Sequence, residues 1–204
     1  MSIGSDVKKA FKDVGISYTI KRDAGNFSGE YLVYDIPIES KVPFDREVFL
    51  TSNLSYDTIV IEGDVLELND GRKVLVANKT PDMFQDAVVD YETTFLKCNI
   101  PSGEIFRSSG EVWATQEYHK VQTWDSIKSG VNGVLIEVPG NQLSNQDELG
   151  LLSIKRTELY LPSGENLQVL DRVQIRSGEY YQVNIIKKSL YPSIVVVELS
   201  EDTR

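Results

Sequence analysis

The sequence predicts an all-β fold: two tandem small β-barrel or sandwich domains, preceded by a short N-terminal helix. Three observations predict it. From Ile16 onward the chain falls into short runs rich in Val, Ile, Tyr and Thr, in which apolar and polar residues alternate, the period of half-buried strands. Polar turn residues separate the runs, and the tripeptide Ser-Gly-Glu occurs five times, centred on Gly29, Gly103, Gly110, Gly164 and Gly178. One thirteen-residue pattern is written twice, as DVLELNDGRKVLV from Asp64 to Val76 and as DRVQIRSGEYYQV from Asp171 to Val183. Each copy has Asp first, apolar residues two and four places on, Gly seven places on and Val five after the Gly.

In chain order, residues 5–15 (SDVKKAFKDVG) carry the one clean helical period, with Val7, Ala10, Phe11 and Val14 on one face and Lys8, Lys9 and Lys12 on the other. Ser5 or Asp6 can cap the start, and Gly15 is expected to supply a left-handed stop. The helix reads as a lid packed on a sheet, with a partner-docking helix as the alternative. Strand patterns follow in ISYTIKR, EYLVYDIPI, FLTSNL, YDTIVIEG, DVLELND, RKVLVAN and VVDYETTFLKCNI. After a break at 98–103 come EVWATQEYHKV, GVLIEV, LSIKRTELYLP, NLQVLDRVQI, YYQVNII and SIVVVEL. The stretch 123–130 (TWDSIKSG) reads as at most two turns of helix, and 140–150 (GNQLSNQDELG) as a loop. Placing the boundary at the break gives domains 1–99 and 100–204, each of ordinary size.

The repeated pattern reads as a β-hairpin whose register is set by its turn. Val173 and Ile175 point to one face, Gly178 turns the chain, and Tyr181 and Val183 return on the same side. Leu66, Leu68, Gly71, Val74 and Val76 do the same in the first copy. Each hairpin is followed by an apparent loop and a further strand: NKTPDMFQD before VVDYETTFLKC, and KKSLYPS before IVVVEL. Both loops put large apolar residues at their tips, Met83 and Phe84 in one and Leu190 and Tyr191 in the other. Such a tip either folds back onto its own core or meets a partner.

Composition and charge narrow the functions. The chain has 204 residues and a formal charge of −10, from 31 acidic and 21 basic residues. Its basic residues cluster only in pairs such as Lys8-Lys9, Lys155-Arg156 and Lys187-Lys188, which disfavours tight binding to nucleic acid. With no signal-like leader and no run of eighteen apolar residues, the chain is expected to be soluble and made in the cytosol. A single Cys98 and a single His119 permit neither an internal disulfide nor an ordinary zinc site. No G-x-S-x-G, G-x-x-x-x-G-K-[ST] or helix-opening G-x-G-x-x-G occurs. Asp57, Glu62 and Asp64 lie close in sequence but lack the spacing of a calcium loop, so they read as a charged strand edge. No catalytic, cofactor-binding or metal-binding residue is expected.

The stretch from Leu152 to Leu199 carries a resemblance. A strand with a basic residue leads to Asp171-Arg172-Val173, then Gly178, Tyr181 and Val183, a short loop, and a final apolar strand ending in Glu198-Leu199. This resembles the head-closure proteins of tailed bacteriophages, also called head–tail joining or stopper proteins, and the segment from Ile61 to Asn99 is similar to the same unit. The resemblance implies small β-barrels stacked as a ring of copies in the virion neck, between a portal or adaptor protein and a tail-completion or tail-terminator protein. Double-stranded DNA would only pass through the channel, and an acidic lumen would keep it from sticking. Met83, Phe84, Leu190 and Tyr191 are then the expected partner contacts. A tail-completion or baseplate position, a cellular β-barrel module for peptide or glycan, and a carboxylate enzyme remain the alternatives.

Overall fold

The computed structural model describes residues 3–34, 48–113, 120–138 and 156–202. The strand patterns fold into two six-stranded barrels, each closed by antiparallel pairing of its first strand to its fourth. The first barrel contains β1 (Ile16–Arg22), β2 (Gly25–Tyr34), β3 (Phe49–Ser55), β4 (Val65–Leu68), β5 (Lys73–Phe84) and β6 (Ala87–Lys97), around the sheet in the order β1-β2-β3-β6-β5-β4. The second contains β7 (Ile100–Trp113), β8 (Lys120–Val138), β9 (Arg156–Pro162), β10 (Arg172–Arg176), β11 (Glu179–Tyr191) and β12 (Ile194–Glu201), in the order β7-β8-β9-β12-β11-β10. The two orders are the same path, so the fold is a tandem duplication.

Alternation builds both interiors. Ile20, Leu32, Leu54, Leu66, Val74 and Phe95 fill the first barrel, and Ile105, Leu159, Val173, Val183 and Val197 fill the second. A third apolar cluster joins them: Val65, Leu75 and Leu96 on the outside of the first barrel meet Val134 and Ile194 of the second. Asn99, in the two-residue link between the sheets, pins that junction by donating to the Leu135 carbonyl and accepting from its N–H, both at 2.7 Å.

The thirteen-residue pattern is a closing device. Arg22, the last residue of β1, makes a fork to Asp64, with Nε 2.7 Å from Oδ1 and Nη2 2.5 Å from Oδ2. Arg107 on β7 forks onto Asp171 at 2.9 and 2.8 Å in the same way. Each arginine also donates to a backbone carbonyl five residues before its Asp, Ile59 at 2.8 Å and Asn166 at 2.9 Å. Each Asp accepts the N–H three residues upstream, Ile61 at 2.8 Å and Gln168 at 2.7 Å. The first and last residues of the pattern are themselves bonded, Val76 N–H to the Asp64 carbonyl and Val183 N–H to the Asp171 carbonyl, both at 2.9 Å. Gly71 and Gly178 turn the two hairpins with the same φ of +84°. A buried carboxylate needs such a complete set of donors, so the recurring Asp is a clasp rather than a strand-edge charge.

Several local expectations are corrected. The helix α1 spans Ile3–Val14; it packs against β1, β2, β3 and β6 through Phe11, while Ala10 and Val14 are exposed. Gly15 has no positive φ. A Cβ there would collide with the Phe11 carbonyl and lie 2.8 Å from that of Leu32, so close approach excludes a side chain. Residues 123–130 are part of the long strand β8, not helix. Residues 56–63 are turns at both ends with irregular chain between, not strand, although Val60 is buried. The apparent loops NKTPDMFQD and KKSLYPS are strand nearly to their tips, in β5 and β11. Of the five Ser-Gly-Glu sites only Gly178 is a hairpin turn. Gly29, Gly103 and Gly110 sit within strands at register shifts, and Gly164 lies in a 3-10 turn, Ser163–Glu165. Closing a barrel of six strands requires bends, and bulges with Gly supply them. The loop expected at 140–150 lies outside the described residues.

Gly63 marks a close approach between the barrels. Its φ is +86°, and an added Cβ would run into the Ser193 carbonyl in the β11–β12 turn. Gly63→Ala is expected to lower stability by about 2 kcal/mol through strain and separation of the barrels, read as a shift of the urea midpoint. An unchanged midpoint would mean that the barrels move apart without cost.

Candidate interaction surfaces

Closed barrels leave no sheet edge along their walls. The exposed strand is instead in hairpins that outrun the barrels. β5 and β6 continue past the barrel to a two-residue turn at Gln85 and Asp86, whose φ values of +49° and +63° suit the twist of a tight hairpin. Met83 and Phe84 end β5 there, 53% and 51% exposed, with Asp82 and Asp86 beside them. These two predicted contact residues therefore stand in solvent and do not fold back onto the core. Leu190 and Tyr191 occupy the matching end of β11, where Tyr191 pairs with Ile194 across the turn.

A second arm went unrecognised in the sequence. In the first barrel the chain turns immediately after the clasp arginine, with Arg22 paired to Gly25. In the second, Arg107 pairs with Asp125 and the ladder runs on, Ser108–Trp113 against Lys120–Trp124. Val112 and Val121 face each other across this extension and are exposed, as is Trp113. Lys120 lies over the Trp113 ring at 5.6 Å and pairs with Glu111 at 3.4 Å, which holds the indole against its own arm. The signal in the sequence was a Val-Trp pair within an otherwise polar stretch, and only comparison of the two barrels shows that it is an addition.

The sequence-level chemical candidates are dispersed. Asp64 belongs to the clasp, Asp57 pairs with Lys8 and accepts from Ser55 at 2.7 Å, and Glu62 accepts the Lys79 N–H at 3.3 Å. Among the described residues no group of three or more His, Cys, Asp or Glu side chains could hold a metal ion. Cys98 is half-buried beside the barrel junction, and burial pushes its thiol up to about 12, far from the reactive thiolate range. His119 lies outside the described residues.

One cleft, of about 520 Å³, opens between α1, the middle of β2 and the end of β3, lined by Lys8, Phe11, Lys12, Tyr31 and Asp57. At its inner side the Glu30 carboxylate accepts from the Tyr18 hydroxyl at 2.5 Å, from the Thr58 hydroxyl, and from the Ile59 N–H at 3.1 Å. Burial and then this bond push the Tyr18 phenol well above its ordinary range, so Tyr18 stays a donor and the group is a satisfied, part-buried network. No protein-family model matches the chain, and no curated protein matches it.

Proposed function

We propose that this chain is a structural protein of a tailed-phage neck, a head-closure or head–tail connector component that forms a ring between a portal or adaptor protein and the tail-completion or tail-terminator protein. The observation that carries the reading is the pair of barrels whose hairpins project apolar tips into solvent, Met83-Phe84 in one and Val112-Trp113 in the other. Large apolar side chains left in water forgo about 1.5–3 kcal/mol each of burial, a cost that suits residues meant for a partner. The likeness of the Asp171–Val183 and Glu198–Leu199 segment to head-closure proteins supplies the identity of those partners. In this reading the protein is not an enzyme, needs no cofactor and does not grip DNA, which passes through the channel past an acidic protein. It is made in the host cytoplasm and ends in the virion.

Labelling the chain in assembled virions and imaging them tests this directly. Label at the head–tail junction supports the neck, and label at the distal tail end moves the protein to the baseplate. A chain absent from particles overturns the reading in favour of a cellular peptide- or glycan-binding module. His119→Ala is expected to leave particle assembly and infectivity unchanged, measured by plaque titre. Loss of titre from a folded His119→Ala protein would restore an enzymatic or metal role.

A further inference from the structure

The duplication makes the contact between the two barrels a template for contacts between chains. Inside one chain, the loop before β4, with Gly63 at φ +86°, meets the β11–β12 turn at Ser193. Its counterpart in the second barrel is the loop before β10, with Leu170 at φ +74°. The backbone bonds match: Gly63 N–H to the Val76 carbonyl and Leu170 N–H to the Val183 carbonyl, both at 2.8 Å. The counterpart of the β11–β12 turn is the β5–β6 turn, which bears Met83 and Phe84. Neither counterpart meets the other within the chain, and both are apolar and exposed, Val169 and Leu170 at 53% and 61%.

We propose that copies of this chain associate head to tail, with the Val169–Leu170 loop of one copy seated on the Met83–Phe84 tip of the next. The proposal deepens the ring reading and rests on it for the number of copies. Leu170 is the first support. A left-handed backbone favours Gly, which the first barrel has, so an exposed Leu held there is an outlier that points to a use for its side chain.

Divergence of the docking row is the second support. In the first barrel, neighbouring strands place Val65, Leu75 and Leu96 in one row, which the second barrel covers. The same row in the second barrel is Arg172, Gln182 and Ser200. There Arg172 pairs with Asp202 at 2.9 Å and stacks against the Trp124 and Tyr180 rings at 4.8 and 4.5 Å. A copy docked in the internal manner would bury that polar row, so the contact between copies must stand further out. The longer tip allows this. From the equivalent pairs Leu75–Leu96 and Gln182–Ser200, β5 and β11 run equally far, but β11 loses its surplus to register shifts against the shorter β12, so the β5–β6 tip reaches about two ladder positions, or about 7 Å, further. Asp82 and Asp86 flank the tip, and the exposed Arg176 follows the loop on β10, giving the contact complementary charge. The two surfaces differ, so the association is heterologous and closes into a ring or runs on as a filament. Each contact is small, and closure multiplies it.

Two single variants, Phe84→Cys and Leu170→Cys, mixed in equal amounts at high concentration with a short bis-maleimide, test the geometry. Heterologous contact gives mixed 84–170 products at about fivefold or more above the statistical yield. Statistical proportions, an excess of either like pair, or no product overturns it. Leu170→Gly keeps the backbone and removes the side chain. Sedimentation of the otherwise unchanged protein is expected to show association weakened about tenfold or more, and equal association by Leu170→Gly and the parent overturns the role of the loop. Both measurements use the isolated chain, so their failure removes this contact while the neck assignment stands or falls on its location in particles.

Discussion

Asp171→Ala is expected to destabilise the second barrel by about 2–3 kcal/mol, the scale of losing hydrogen bonds to a buried charged acceptor whose partner, Arg107, stays partly in water. Asp171 is 2% exposed and accepts the Arg107 fork and the Gln168 N–H. Its removal leaves the guanidinium with only the Asn166 carbonyl and the Gln168 amide without its acceptor, at the point where β10 closes the sheet onto β7. Asp64→Ala should act alike on the first barrel through Arg22 and Ile61. Urea unfolding followed by tryptophan fluorescence reads the second barrel, because Trp113 and Trp124 both lie there. A midpoint shift worth less than about 1 kcal/mol, the scale of an exposed pair, would show that the clasp is ornamental to stability.

Changing Phe84 and Tyr191 together to Ser is expected to leave the isolated protein folded and to abolish joining of tails to heads. Phe84 stands beyond the barrel on a two-stranded arm, so its truncation leaves the interior untouched. Loss of attachment with an unchanged unfolding curve places the partner contact at the hairpin ends. If the double variant unfolds instead, those side chains belong to a core. If it folds and intact virions still form, the docking surface lies elsewhere, and the Val112–Trp113 arm is the next place to look.

Strand periodicity made the all-β class and the tandem hairpins legible, because half-burial imposes a period of two on every strand. The partners of the Asp residues were not legible. Arg22 and Arg107 stand 42 and 64 residues from Asp64 and Asp171, and no local pattern reports a bond across such a distance. The helix misread at 123–130 has another cause: only Thr123 and Trp124 belong to the arm, and the register shifts opposite Gly103–Phe106 break the alternation across the rest of the stretch. The Ser-Gly-Glu repeats misled because Gly serves bulges as well as turns, and the difference lies in whether the partner strand continues. Met83 and Phe84 were found as the apolar exception in a polar stretch, whereas the Trp113 arm needed the second barrel to be laid against the first.

The row formed by Val65, Leu75 and Leu96 has a consequence for how the protein is made. The first barrel has all six of its strands once Lys97 has emerged. Its outer row, however, stays wet until β8 and β12 arrive, and Ile194 lies 97 residues after Lys97. At about 5–20 residues per second on the ribosome, the nascent barrel carries that oily stripe for roughly 5–20 seconds, a window in which neighbouring chains on a polysome could meet stripe to stripe. The arrival of β12 is then the step that takes the stripe out of water and ends that exposure.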